Sequence, residues 1–161
     1  MEKTIHPVVT SRSTIAIVYI DSNTDHRLVG QLYNAYYDKT VPFQNEIEFL
    51  RALESLFDSL SFPSRFENYR HFNAESKRHL SRKSGKSITE QERKDLPMSR
   101  EAAEKATFVI HVEFRRNATW QGTIHWVNED KLKSFRSTLE MIWLIDEALD
   151  AEGAEAKITW E

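Results

Sequence analysis

The sequence predicts an α+β domain of two tandem β-β-β-α repeats, with an antiparallel sheet, helices packed on one face and a pseudo-twofold between the repeats. Three observations predict it. First, the chain matches itself at an offset of 92 residues, so that Ile15–Leu60 falls on Thr107–Glu152 without a gap. Gly30 meets Gly122, Asp38-Lys39 meets Asp130-Lys131, Phe43 meets Phe135, Glu48 meets Glu140 and Asp58 meets Asp150. Second, each copy runs through short β-branched and aromatic segments and then one stretch with helical spacing. Third, a unit of about 45 residues is near the lower limit for burying enough apolar surface alone, so two such units are expected to share one core.

Residues 1–13 form a polar lead-in that is expected to be loose. The first repeat spans 14–63. Thr14–Asp21 is β-branched and short enough for a strand, and Ser22–His26 is turn chemistry because these side chains hydrogen-bond their own backbone. Arg27–Tyr37 reads as a second strand, and Thr40–Gln44 as a brief third after the turn at Asp38-Lys39. Asn45-Glu46-Ile47-Glu48 fits a capping box, in which an Asx side chain and a Glu three residues on satisfy amides left open by the first helical turn. Ser137-Thr138-Leu139-Glu140 is the same device in the second copy. Apolar residues then recur at Ile47, Leu50, Leu53, Phe57 and Leu60, and at Leu139, Ile142, Ile145 and Leu149, before Pro63 closes the first helical region.

Residues 64–105 are rich in Ser, Lys, Arg, Glu and Gln and read as a polar, basic linker, with transient helix near Thr89–Lys94. The second repeat occupies 106–161. Phe108–Arg116 and Thr119–Val127 are strands joined at Asn117-Ala118, and Lys133–Arg136 is a third. The helix covers Thr138–Asp150, Gly153 ends it, and Lys157–Trp160 adds a last short strand.

Composition narrows the function classes. There is no cysteine, which removes disulfides and thiolate metal sites and fits a reducing compartment. No apolar run is long enough for a membrane span, and the start lacks a signal peptide's apolar core, so a cytoplasmic location is expected. Asn117-Ala118-Thr119 is accordingly read as a turn, not a glycosylation site. Net charge is −3, but residues 61–100 hold ten Lys/Arg against five Asp/Glu. The rest of the chain is therefore acidic, which opposes strong non-specific attraction to nucleic acid while leaving a local basic contact open.

Strand side chains alternate between faces. Phe108, Ile110, Val112 and Phe114, with Trp120, Ile124 and Trp126, form an apolar set expected under the helices. The opposite set is Val109, His111, Glu113 and Arg115 with Thr119, Gln121, Thr123 and His125, and in the first repeat Ile17, Tyr19 and Asp21 with Gln31, Tyr33 and Tyr37. Such a face suits a ligand platform, with rings stacking unpaired bases while Gln, Arg and Asn donate hydrogen bonds. It equally suits a wet or internally packed face whose rings serve strand propensity.

Two resemblances rest on these residues. Phe114–Gly122 (FRRNATWQG) followed by Phe135–Glu140 (FRSTLE) resembles small bacterial proteins that share this strand-turn-Gly-strand-helix segment, a likeness that implies no activity. Arg116-Asn117 ending one strand and Gly122 opening the next is similar to PUR-type repeats, which are tandem strand-and-helix units that bind single-stranded nucleic acid. Those repeats have four strands where three are counted here. That resemblance implies Arg115, Arg116, Asn117, Gln121 and His125 as contact residues, to which the ring-bearing face adds Tyr19, Tyr33 and His111.

Catalytic and metal chemistry find no support. Gly85-Lys86-Ser87 ends like a phosphate-binding loop, yet Leu80 stands where that motif needs its first glycine. His111 and His125 fall on adjacent strands without a third ligand, and Asp146 and Asp150 at i,i+4 are explained by a solvated helix face. Trp143 broadens the apolar side of the second helix where the first carries Arg51, so it packs in the core, against linker aromatics Phe66, Tyr69 and Phe72, or on another subunit. The expected function is a non-catalytic binding module without cofactor or metal. Its ligand is single-stranded RNA or DNA on the open sheet face, or a protein bound through a sheet edge, Trp143 or the basic linker.

Overall fold

The computed structural model describes residues 8–72, 91, 96–98, 103–150 and 160. Three strands, β1 (Ala16–Ser22), β2 (Val29–Asn34) and β3 (Lys39–Phe43), precede helix α1 (Glu46–Leu60). Strands β4 (Ala106–Phe114), β5 (Gln121–Trp126) and β6 (Lys131–Phe135) precede helix α2 (Thr138–Asp150). The six strands make one sheet in the order β3-β2-β1-β4-β5-β6, and every neighbouring pair is antiparallel. Short connections within each half dictate antiparallel pairing, and β1 meets β4 at the centre. The architecture is α+β. The sequence-predicted strand at Lys157–Trp160 and the helix near Thr89–Lys94 fall mainly outside the described residues.

The caps work as their sequence implies. Glu48 N–H donates to Asn45 Oδ1 at 2.9 Å, and Glu140 N–H donates to Ser137 Oγ at 3.0 Å. The reciprocal bond comes from one residue earlier than the standard box: Gln44 N–H donates to Glu48 and Arg136 N–H to Glu140.

Both helices cover the face carrying Val18, Ile20, Leu32, Phe108, Ile110 and Ile124, which with Phe43 and Phe135 form the main core. Each fully buried aromatic or branched side chain there contributes roughly 1.5–3 kcal/mol. The buried helix stripe differs from the expected one. Phe49, Leu53, Leu56, Phe57 and Leu60 point inward on α1, and Met141, Ile145, Ala148 and Leu149 on α2. Ile47 and Leu139 are instead 60% and 63% exposed. Rotation of the helix brings the larger Phe49 onto Phe43, ring centroids 5.1 Å apart, and swings Ile47 outward.

Gly30 and Gly122 sit where neighbouring backbone comes closest. A Cβ on Gly30 would collide with the carbonyl oxygen of Tyr19, and one on Gly122 with that of His111. Beside each glycine pair, the central strand carries a β-bulge: Asp21 is the extra residue on β1, and Glu113 on β4.

Parts of two segments expected to be loose are held. Thr10 caps a 3-10 turn at Ser11–Thr14, and Asn34 Nδ2 donates to the carbonyls of Ser13 and Ile15. At the start of the expected linker, Pro63, Ser64 and Arg65 are buried, and Arg65 forms a parallel bridge with Arg115 beyond β4.

Candidate functional site

The sheet face opposite the helices is not open at its centre. Ile17, Tyr19, Tyr33 and Val109 form a second buried cluster with Ile15, against which Leu96, Ala103 and Val127 pack. Tyr19 and His111 have no exposure, and Tyr33 is 8% exposed. The His111 Nε2–H donates to the Ser11 carbonyl at 2.8 Å, which ties the 3-10 turn onto this face. Tyr33 Oη donates to Asp38 Oδ1 at 2.9 Å, and this bond, with burial and the Asp38 charge, raises its phenol above the ordinary value. The expectation that Tyr19, Tyr33 and His111 stand exposed together is therefore corrected. Segments remote in sequence, including part of the expected linker, cover them.

Arg115 is also displaced from the predicted face. The bulge at Glu113 shifts the alternation by one residue, so Arg115 reaches toward α1. There it is 3% exposed, donates from Nε to the Pro63 carbonyl at 2.7 Å, and from Nη1 to Asp58 at 2.8 Å and Glu54 at 3.1 Å. Arg65 approaches the same two carboxylates at 3.7 and 3.5 Å, and Trp120 Nε1–H donates to Glu54 at 2.9 Å. Burial and the Glu54 charge push the Tyr69 phenol upward beside them. Arg115 Nε and Nη1 and Trp120 Nε1 thus have acceptors within the protein, whereas the buried Arg65 Nε has none among the described residues, and the arrangement fastens residues 63–69 and β4 to α1. Nothing in the sequence placed Glu54 and Asp58 opposite Arg115, because the pairing spans more than fifty residues.

The remaining predicted contact residues lie along β5 and the turn before it. Arg116 and Asn117 are exposed, and Asn117 and Ala118 take positive φ in a tight turn. Gln121 clamps this turn, its side chain accepting from Arg116 N–H at 3.0 Å and donating to the Arg116 carbonyl at 2.8 Å. The Arg116 guanidinium lies over both Phe114 and Phe66, 4.6 and 4.9 Å from the ring centroids. His125 is partly buried and bonds Asp130 through Nε2 at 2.8 Å. Arg116, Asn117 and Gln121 therefore share the turn at one end of β5, while His125 lies four residues further along the strand, opposite Val109 of the buried cluster.

A surface that sequence patterning assigned to the core lies on the outer side of the helices. Ile47, Leu139 and Trp143 are 60%, 63% and 60% exposed. Leu139 and Trp143 are one turn apart on α2 and so share a side. Beside Ile47 opens a pocket of about 390 Å³, lined by Leu50, Arg51, Glu54, Trp120 and Thr138 among others. Thr138, the residue before Leu139, is held there by its N–H donating to Thr119 Oγ1 at 2.8 Å.

Among the described residues, no group of three or more His, Asp or Glu side chains could hold a metal ion. Among them, too, no helix is long and apolar enough to cross a membrane. No protein-family model, curated protein or solved structure matches this chain.

Proposed function

We propose that this chain is a non-catalytic binding module whose partner is a protein, engaged by the outer side of the helical layer. The observation that carries the reading is the outward placement of Ile47, Leu139 and Trp143, with Ile47 lining a recess together with Leu50 and Trp120. An exposed tryptophan and exposed aliphatic side chains on one helical layer are the composition of an interface hot spot, where a few desolvated anchors carry most of the affinity.

The same reading takes the chain as two tandem copies related by a pseudo-twofold. In support, β2 and β5 begin at 29 and 121, β3 and β6 at 39 and 131, and α1 and α2 at 46 and 138, each 92 apart. At the central pair, Ile17 faces Val109, the position 92 residues on, as an axis between β1 and β4 requires. Ile47 and Leu139 are then counterparts, and Trp143 makes the surface asymmetric where α1 carries Arg51.

A second reading, single-stranded nucleic acid, is favoured by exposed Arg116 and Asn117 beside Gln121. One experiment separates the two. A protein that co-purifies stoichiometrically after nuclease treatment, and is lost from a Leu139→Ser/Trp143→Ser variant of unchanged melting temperature, supports the protein-binding reading. Retention by that variant, or salt-sensitive binding of labelled RNA or DNA that Arg116→Ala abolishes, overturns it in favour of nucleic acid.

A further inference from the structure

A second pocket, of about 430 Å³, lies between the sheet and the C-terminal half of α2, on the other half of the molecule. Phe108, Ile124 and Trp126 form its floor, and Leu144 and Ala148 of α2 form one wall. Lys131 and Lys133 border it from β6, with Glu129 and Glu147. Its volume is in the range of small-molecule sites, about 300–1,000 Å³.

The first half carries bulkier side chains at the matching positions. Ninety-two positions earlier, Leu56 stands in place of Ala148 and Tyr36-Tyr37 in place of Asn128-Glu129. Leu56 is buried, Tyr36 packs against the core, and Tyr37 Oη donates to Ser59 Oγ at 2.9 Å, joining the β2–β3 turn to α1. In the second half a small alanine leaves the space open, and the Asn128 side chain turns away to accept from Thr107 N–H at 2.9 Å.

The charges indicate what fits. Lys131 and Lys133 are two apart on one strand, so both ammonium groups project on the pocket side, opposite Trp126 and Ile124. Lys131 Nζ lies 5.7 Å from the centre of the Trp126 ring, so the ring face that attracts a cation already has one. Among the described residues, no ion pair joins either lysine to Glu129 or Glu147. The indole N–H of Trp126 is enclosed and, among the described residues, has no acceptor.

We propose that this pocket binds a small amphipathic carboxylate, its apolar body against Phe108, Trp126 and Leu144 and its anionic end at Lys131 and Lys133. The site is separate from the outer helical surface, so it stands whether or not that surface binds protein. Calorimetric titration of the full chain with octanoate, octanol and octylamine is the test. Octanoate is expected to bind at least tenfold more tightly than the other two. Lys131→Gln/Lys133→Gln, both exposed and off the core, abolishes that preference, while Ala148→Leu, which installs the residue the first half uses, abolishes binding. Equal binding of the three probes, no binding of octanoate at millimolar concentration, or octanoate affinity unchanged in the lysine variant overturns the proposal. If Ala148→Leu fails to fold, the lysine variant decides alone.

Discussion

Replacing Arg115 by Met isolates the cluster that fastens the two halves together. The substitution keeps most of the aliphatic stem and removes three donated bonds, to the Pro63 carbonyl and to Glu54 and Asp58. Removing one partner of a buried pair costs about 3–5 kcal/mol, because the charge left behind is uncompensated. Two features pull the value to the low end. Glu54 and Asp58 retain 18% and 30% side-chain exposure, and Arg65 still approaches both, with Trp120 still donating to Glu54. The expected loss is about 3 kcal/mol, which for a chain of this size lowers the melting temperature by roughly 6–12 °C. Urea unfolding measures it, with an unchanged denaturant slope as the sign that stability alone has moved. Arg136→Met is the control: its i,i+4 pair with Glu140 is at the surface, Arg136 being 89% exposed, and should be worth about 0.5 kcal/mol at most. A loss for Arg115→Met no larger than that control would refute the idea that this guanidinium holds β4 and residues 63–69 to α1.

Two further outcomes follow from the geometry. Gly122→Ala forces a methyl against the His111 carbonyl, and since backbone must move, a loss of roughly 1–3 kcal/mol is expected by chemical denaturation. Asp146 has its carboxyl raised above 3.8 by burial first and by the Asp150 charge next, with Glu46 adding and His26 opposing. A folded value above the unfolded one means its contribution is fully present below 3.8 and lost as pH rises through the raised value. Asp146→Asn should therefore stabilise the protein at pH 7 and lose that advantage toward pH 3, as read from melting temperatures across that range.

Local physics made much of the architecture legible in the sequence. Strand and helix order, the turn at Asn117-Ala118, and the caps at Asn45 and Ser137 all depend on interactions within a few residues, which sequence patterns record directly. Antiparallel pairing within each half follows from connections too short for anything else. The helical stripe was ambiguous at this level, because Ile47-Leu50 and Phe49-Leu53 both satisfy a 3.6-residue period on α1. Only packing against Phe43 selected the second and turned Ile47 outward.

The candidate surfaces were decided by tertiary structure. Alternation predicts faces only while the ladder is regular, and a single extra residue at Glu113 moved Arg115 from the predicted ligand face to the carboxylates of α1. Exposure is likewise not a local property. Tyr19, Tyr33 and His111 have the composition of a stacking platform, yet Ser11, Leu96 and Ala103, distant in the chain, help to close that face. The sequence by itself determined which segments become strands and helices, since those choices rest on near neighbours. Tertiary structure decided which side chains remain available to a partner, because burial depends on whatever the rest of the chain lays over them.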